Sequence, residues 1–400
     1  MAVVRILHTI HTVDPATGGT AEAVLQLAAA HRRLGHVVEI ASLDTAGQPW
    51  IAMAPVPVHA LGPGRGSFGY SPKLVPWLRE RAASYDVVVA HGFWQHHNVG
   101  TAVALRGSRT PYVLFAHGML DDWFRRAYPL KHLKKCAYWW LWQHRAMEDA
   151  AAVLFTSHDE WRRSHRSFTP FRCRREIVPL GIVPPPGEGA AQRAAFLEAR
   201  PELRERRILL FLGRIHEKKG CDLLVDAVRA LRAEPEWAPG PDGRRPVVLL
   251  LGPCADAGYR AALEARAREA GAEGDVLWGD MISGDLKWGA FHAAEAFVLP
   301  SHQENFGVAV AEALACGVPA LISDQVNIWR EVVSDGAGFA ECDDLAGTTR
   351  LLRRWLQTSA GERERMRARA RSCFAGRFAI DRAAPRLLEV LRAVVERPAA

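Results

Sequence analysis

The stretch Pro300-Ser301-His302-Gln303-Glu304-Asn305-Phe306-Gly307-Val308-Ala309-Val310-Ala311-Glu312-Ala313-Leu314-Ala315-Cys316-Gly317-Val318-Pro319 decides how the rest of the chain is read. Just before it, Ala296-Phe297-Val298-Leu299 is a continuous apolar run that stops at Pro300, the pattern of a buried strand. A polar loop follows, and then small helix-forming residues predict a helix from Phe306 to Cys316. Gly317 ends that helix by allowing a left-handed cap, and Pro319 refuses to continue it. The amides of Phe306, Gly307 and Val308 would then stand unpaired at a helix start located at the C-terminal end of a strand, which makes an anion site.

Two carboxylates accompany this start, Glu304 just before the first turn and Glu312 inside the helix. A phosphate alone needs neither. Carboxylates accept bidentate hydrogen bonds from vicinal diols while backbone amides take phosphate oxygens, so a ligand with a diphosphate and several hydroxyls, such as a nucleotide sugar, suits the combination. The plainer alternative makes Glu304 a helix cap and Glu312 a solvated helix residue. With its Pro-Ser-x-x-Glu-x-Phe-Gly context and a second Glu after seven intervening residues, the stretch resembles the signature of the family 4 (group 1) retaining glycosyltransferases of GT-B fold, similar to enzymes that build bacterial exopolysaccharides and cell envelopes. That resemblance is strongest from Leu210 to Glu331 and diffuse over the first half. Asn305 departs from the small residue frequent at that place, which leaves sugar selectivity open.

Four hundred residues, 49% of them apolar, suffice for two domains with full cores. In the first half, apolar runs at Val3 to Ile10, Val37 to Leu43, Val56 to Leu61, Val87 to Ala90, Tyr112 to Ala116, Ala152 to Thr156 and Glu176 to Leu180 alternate with amphipathic segments. Such runs predict an α/β domain with a parallel sheet covered on both faces. Gly181-Ile182-Val183-Pro184-Pro185-Pro186-Gly187 can form neither helix nor strand and marks a boundary. The alternation resumes with strands near Ile208, Val248, Val276, Phe297 and Ala320 and helices at Cys221 to Leu231, Tyr259 to Ala270, Asp285 to Ala294 and Phe306 to Cys316. The Pro/Gly-rich segment from Glu234 to Gly243 reads as a surface loop, and the chain from Leu345 onward as helical. The organisation expected is a GT-B pair of Rossmann-like, doubly wound domains facing across a cleft: residues 1–183 for the acceptor, 184–380 for the nucleotide sugar, and a C-terminal helix in 381–400 that the resemblance implies crosses back to the first domain.

A second basic motif, Gly213-Arg214-Ile215-His216-Glu217-Lys218-Lys219-Gly220, follows the first strand of the second half and opens a helix. Arg214 can grip a diphosphate through its planar fork and Lys219 adds a point charge, while Lys218 reads as solvated. In the family, this motif holds the donor diphosphate at the matching positions. Asp14-Pro15-Ala16-Thr17-Gly18-Gly19 follows the first strand of the chain, and its adjacent glycines let backbone approach a phosphate or acceptor closely, though any tight turn would use them too. The resemblance puts Gly18 and Gly19 with the diphosphate, matches His117, at the end of Phe115-Ala116-His117-Gly118, to a histidine touching the donor sugar, and makes Glu312 the ribose contact. His91, ending another strand, is a weaker candidate on the acceptor side. Base and ribose are expected near Gly252-Pro253 and Gly279-Asp280-Met281.

The net charge is +7, from 51 basic and 44 acidic residues, and six of the excess charges lie between Trp123 and Arg145: Arg125, Arg126, Lys131, Lys134, Lys135 and Arg145, with no acidic residue among them. Trp139, Trp140 and Trp142 share this segment. Bases interleaved with interfacial aromatics suit an anionic membrane surface and hence a lipid-linked acceptor; the alternative is a helix whose tryptophans pack on the sheet while its bases face water. No nucleic-acid motif accompanies the charge. Seven scattered cysteines without close pairing fit a reducing cytoplasm, at or near the inner face of the membrane, and no apolar run has the length of a membrane span.

These readings converge on a hexosyltransferase that moves sugar from a nucleoside-diphosphate sugar to a hydroxyl of a glycan or lipid-linked acceptor, with retention as the family's outcome and Glu304, His117, Arg214 and Lys219 as its catalytic residues. The cations and the Phe306 and Gly307 amides would neutralise the departing diphosphate, so neither metal nor cofactor is expected. A sugar-nucleotide 2-epimerase and a non-catalytic nucleotide-sugar or glycan-binding protein are the alternatives. A dinucleotide-dependent dehydrogenase is disfavoured, because Gly-x-Gly-x-x-Gly does not follow the first strand.

Overall fold

The computed structural model describes residues 2–123, 125, 128–240 and 242–396. The chain divides into two compact units, Met1–Val183 joined by Phe378–Ala400, and Pro184–Arg377. Arg126 of the basic segment, Pro241 of the Pro/Gly-rich segment and residues 397–400 of the C-terminal segment lie outside the described residues.

In the first unit the apolar runs become β1 (Arg5–Ile10), β2 (Val37–Ser42), β3 (Val58–Ala60), β4 (Val87–His91), β5 (Tyr112–Phe115), β6 (Ala152–Phe155) and β7 (Arg175–Ile177). Every pairing is parallel, in the order β3-β2-β1-β4-β5-β6-β7. β4, β5 and β6 are buried along their whole length, which is why their sequences are continuously apolar rather than alternating. The helix Ile380–Val395 belongs to this unit and packs on the helix Gly19–Arg33, where the His31 ring bonds the Ala384 carbonyl at 2.9 Å.

In the second unit β8 (Arg206–Leu212), β9 (Arg245–Leu251), β10 (Val276–Gly279), β11 (Ala296–Leu299), β12 (Ala320–Ser323) and β13 (Gly338–Glu341) make a parallel sheet in the order β10-β9-β8-β11-β12-β13. Both sheets are therefore doubly wound, as the sequence predicts. Strand order reverses between β1 and β4 in one and between β8 and β11 in the other, and ligands of such sheets bind beyond the strand ends at that reversal.

Three local readings need correction. The Pro/Gly-rich segment carries a short helical turn, Pro235–Trp237, whose Trp237 side chain is completely buried, so it anchors the core instead of merely covering the surface. The helix placed from Phe306 to Cys316 runs from Val308 to Ala315, because Gly307 adopts φ +71° and so caps the helix rather than joining it. In the basic segment the helix Pro129–Tyr138 continues into a wider turn, Trp139–Gln143, where the tryptophans part: Trp139 is 1% exposed, Trp140 67% and Trp142 52%.

Gly220 ties the loop after β8 to the end of β11. It sits at φ +68°, and a Cβ built on it would lie 2.3 Å from the Pro300 carbonyl oxygen. Gly213, in the same loop, would place a Cβ no nearer than 3.8 Å to Phe211. Gly220→Ala is thus expected to cost about 3 kcal/mol in unfolding free energy, and Gly213→Ala to stay within about 0.5 kcal/mol of the parent. Urea unfolding of the two variants side by side checks this, and equal midpoints would contradict the close approach.

Candidate functional site

The site is built where β8 and β11 end. Beyond β8, Gly213 and Arg214 lead into a single helical turn, Glu217–Lys219, capped by the His216 ring, which accepts from the Lys218 amide at 3.1 Å. Gly220 then opens the helix Cys221–Leu231. Beyond β11, the loop from Pro300 to Gly307 lies directly against this turn. The Lys218 carbonyl accepts from the His302 amide at 2.9 Å and from the Ser301 hydroxyl at 2.9 Å, so the two motif loops share one hydrogen-bonded seam. On the far side, the Glu304 amide donates to the Gln325 carbonyl at 3.1 Å and the Glu304 carbonyl accepts from the Asn327 amide at 3.0 Å. Glu304 is thereby fixed by its backbone from both directions.

Across the seam the Lys219 ammonium pairs with the Glu304 carboxylate. Both side chains are mostly covered, which weakens solvent screening of the pair. Arg214 is exposed, and its guanidinium makes no hydrogen bond or ion pair among the described residues. It can meet an incoming anion without first leaving a carboxylate. His302 donates through Nδ1 to Asp343 at 2.8 Å, and that bond raises its pKa above the ordinary histidine value, so the contact is strongest on the acid side of neutrality.

The other carboxylate, Glu312, lies in the second turn of the helix Val308–Ala315 and is buried. Lys287, from the helix Gly284–Ala293 that follows β10, meets it at 2.5 Å and lies over the Trp288 ring at 4.7 Å. Glu312 is therefore neither solvated nor unpaired. Lys287 is a residue the sequence reading missed; nothing in its local pattern distinguishes it from a surface lysine, and only folding brings it to Glu312. The later helix start also moves the anion-binding amides. Those of Val308 and Ala309 are the first in the helix and have no backbone partners among the described residues, whereas the Phe306 side chain is buried and Gly307 forms the left-handed cap.

Behind the loops, glycine allows close backbone approach between β8 and β9: a Cβ on Gly252 would fall 2.0 Å from the Gly213 carbonyl oxygen, and the Ile215 amide donates to the Pro253 carbonyl at 2.9 Å. The Gly252-Pro253 turn is thus joined to the Arg214 loop.

Gly18, Gly19, His91 and His117 belong to the first unit. Gly18 sits at φ +109° after a turn capped by the Asp14 side chain, Gly19 opens the helix, and a Cβ on Gly18 would touch nothing within 4 Å. His117 follows β5 at φ +50°, an uncommon conformation for a residue with a side chain. It is held there by the Phe115 ring, 4.3 Å away centroid to centroid, by His91, and by the next amide, Gly118, which donates to Glu160 at 2.5 Å. Burial pushes the Glu160 carboxyl up to about 7 and the His117 imidazole down to about 3. Among the described residues no cluster of three or more His, Cys, Asp or Glu side chains is arranged to hold a metal ion, and no helix is long and apolar enough to cross a membrane.

Two families of known proteins match most of the chain. Residues 18–181 match the family described as Glycosyl transferase 4-like domain, and residues 193–372 match Glycosyl transferases group 1. A D-inositol 3-phosphate glycosyltransferase of Xylanimonas cellulosilytica is 30% identical over 240 residues, covering 56% of this chain and 53% of that protein. The protein of the same name from Geodermatophilus obscurus is 28% identical over 339 residues, 81% of this chain and 70% of that one. A GDP-mannose:cellobiosyl-diphosphopolyprenol alpha-mannosyltransferase of Xanthomonas campestris is 25% identical over 345 residues, 84% and 82%. The chain spans about half the length of several curated relatives it matches. Among solved structures, Anabaena HepE in complex with UDP and glucose superposes with a TM-score of 0.73 at 17% identity over 98% of this chain and all of that one, and a glycosyltransferase from Rickettsia africae with 0.76 at 14% over 99% and all of that chain. At those identities the structures speak for the fold alone. The two matched families, the order of the two sheets and the paired motif loops place the chain among the group 1 (family 4) glycosyltransferases of GT-B fold.

Proposed function

We propose that this protein transfers a hexose-type sugar from a nucleoside-diphosphate sugar to a hydroxyl of a glycan or lipid-linked acceptor, with retention at the anomeric carbon, in the synthesis of a polysaccharide or glycoconjugate. The observation that carries the reading is the seam at Lys218, which sets Lys219 against Glu304 and leaves Arg214 uncommitted beside them. Relatives named for inositol phosphate and GDP-mannose transfer, and a neighbour bound to UDP and glucose, support a nucleotide-sugar donor without choosing its base or sugar.

In this reading the diphosphate lies on Arg214, Lys219 and the amides that begin the helix Val308–Ala315. As the bond from C1 to the β-phosphate oxygen breaks, negative charge builds on that oxygen and is met by groups already in place. The acceptor hydroxyl attacks C1 from the face the diphosphate is leaving and gives its proton to the departing phosphate oxygen, so the balance closes without a protein base and the nucleoside diphosphate departs. Glu304, anchored by its own backbone, accepts hydrogen bonds from sugar hydroxyls and favours positive charge on the ring. Glu312 receives the ribose hydroxyls, and Lys287 holds its carboxylate in place. His117 touches the donor sugar, and Gly18 and Gly19 offer backbone to phosphate or acceptor.

We further assign the face around Trp140 to an anionic lipid surface. Leu130 is 80% exposed, and Leu133, Trp140, Leu141 and Trp142 are also open, in a segment whose charges are all basic. An exposed apolar strip flanked by lysines matches the lipid interface, where bases meet headgroups and tryptophans sit at the boundary. A lipid-linked acceptor would be met there.

Two measurements test these assignments. Release of nucleoside diphosphate from several donors, with and without a lipid extract as acceptor, should be found for the parent and persist in EDTA; Arg214→Ala and Glu304→Gln should lower it about 100-fold or more while the variants stay folded. Parent-like release in both variants would remove the proposal. In co-sedimentation, the parent should bind vesicles rich in phosphatidylserine and not neutral ones, and Trp140→Ser/Trp142→Ser should lose about tenfold in binding with nucleotide affinity unchanged. Equal binding by parent and variant would refute the lipid face.

A further inference from the structure

At the other end of the second sheet from the motif loops, arginines gather around a cleft of about 380 Å³. Such a volume lies within the range of small-molecule sites, roughly 300–1,000 Å³. Arg206 and Ile208, which begin β8, form its floor with Glu295, which precedes β11. One wall is the helix Gly189–Ala199, which contributes Arg193; the other is the helix Ala360–Cys373, whose Arg363, Glu364 and Arg367 share one face. The seven residues of β8, about 20 Å of strand, separate this cleft from the Arg214 loop.

Cations outnumber anions here. Arg193, Arg206, Arg244, Arg363 and Arg367 line the cleft against Asp242, Glu295 and Glu364, a surplus of two positive charges. Arg207 and Asp275, each paired with a member of the lining, leave that surplus unchanged. Burial first, and then Arg367, lower the pKa of His292 in the same wall, so its ring adds no charge near neutrality. Two of the carboxylates are already engaged: Asp242 pairs with Arg244 at 2.6 Å, and Glu295 is shared by Arg207 at 3.1 Å and Arg363 at 3.3 Å. Glu364 is exposed, where solvent screens it. Arg207 Nη2 and Arg363 Nε are buried without an acceptor. Those two atoms are covered and meet no ligand, but their guanidinium charge adds to the field of the cleft.

The donors within reach of a ligand belong to Arg193 and Arg367. Arg193 is exposed and makes no hydrogen bond or ion pair among the described residues. Arg367 is half-buried and gives Nη2 to the Ala294 carbonyl at 2.9 Å, while its Nε and Nη1 have no partner among the described residues and are not enclosed. Burial lowers the Arg367 pKa, Glu364 and Glu295 oppose the shift, and Arg371 and Arg193 add to it, so Arg193 and Arg367 stand within electrostatic reach of each other.

We propose that this cleft binds a phosphate dianion, free or carried by a small organic molecule, between the guanidinium groups of Arg193 and Arg367. A guanidinium offers parallel N–H groups that match two oxygens of a phosphate, and two such forks from different helices close on one tetrahedral group. The charge surplus of the lining equals the charge of the ligand. This site is separate from the transfer chemistry and stands or falls without it.

Isothermal titration calorimetry of the full chain at fixed ionic strength tests the site with inorganic phosphate and with glycerol 3-phosphate. Both should bind the parent, and Arg193→Glu and Arg367→Met should each weaken binding about tenfold or more. The Arg193 side chain has no partner to lose, so Arg193→Glu should keep the parent's circular dichroism and melting temperature, and it remains decisive should Arg367→Met fold poorly. Tighter binding of glycerol 3-phosphate than of phosphate assigns the organic ester as the ligand; equal binding assigns the free ion. No binding of either probe, or binding that Arg193→Glu leaves unchanged, would overturn the proposal.

Discussion

The second unit depends on one carbonyl. Lys218 presents its C=O to the amide of His302 and the hydroxyl of Ser301, and so fastens the loop after β8 to the loop after β11. Apart from the single turn Glu217–Lys219, neither loop has regular structure of its own to hold it. What makes the contact possible is the absence of side chains at Gly220 and Gly252, where backbone from one strand end fills the space that a Cβ would need in another. Parallel strands β8 and β11 are neighbours in the sheet although a long stretch of chain separates them, so their ends emerge together at the point where strand order reverses.

Charge at this point is arranged in pairs. Lys219 with Glu304 and Lys287 with Glu312 each bring a lysine from a different element to a partly or largely buried carboxylate. Such pairs are poor sources of stability, because desolvation offsets much of their attraction. Their value here is geometric: each fixes the position of a carboxylate at a strand-end loop. Arg214 stands apart, exposed and uncommitted, which suits a group that must respond to charge arriving with the ligand.

The first unit uses a different principle. Histidines are buried among its strands, each kept neutral because a charged ring in that setting would lose its hydration. His91 lies between His8 and His117, within 2.8 Å and 2.9 Å of their ring nitrogens, and as a neutral ring it donates to one and accepts from the other. The left-handed backbone at His117 and the Glu160 bond to Gly118 show how firmly the last of these rings is held.

Much of this was legible in the residues alone. Continuous apolar runs announced two parallel sheets, because a strand covered on both faces has no polar side to show, and glycine with basic residues after β8 and the Pro-Ser-x-x-Glu-x-Phe-Gly run after β11 marked two strand-end loops. The helix start was misplaced by two residues because apolar, helix-forming neighbours hide the left-handed turn at Gly307, which is a property of backbone packing against Val310 and Val326. Trp237 looked like part of a surface loop because local composition says nothing of where an aromatic ring inserts. Lys287 and Glu312 lie 25 residues apart, His8 and His91 lie 83 apart, and no periodicity links positions so distant. Local pattern, then, determined the elements and the loops able to carry chemistry; strand order alone decided which of those loops, lysines and histidines meet, since hydrogen bonds of about 3 Å form only between groups that the sheet has already made neighbours.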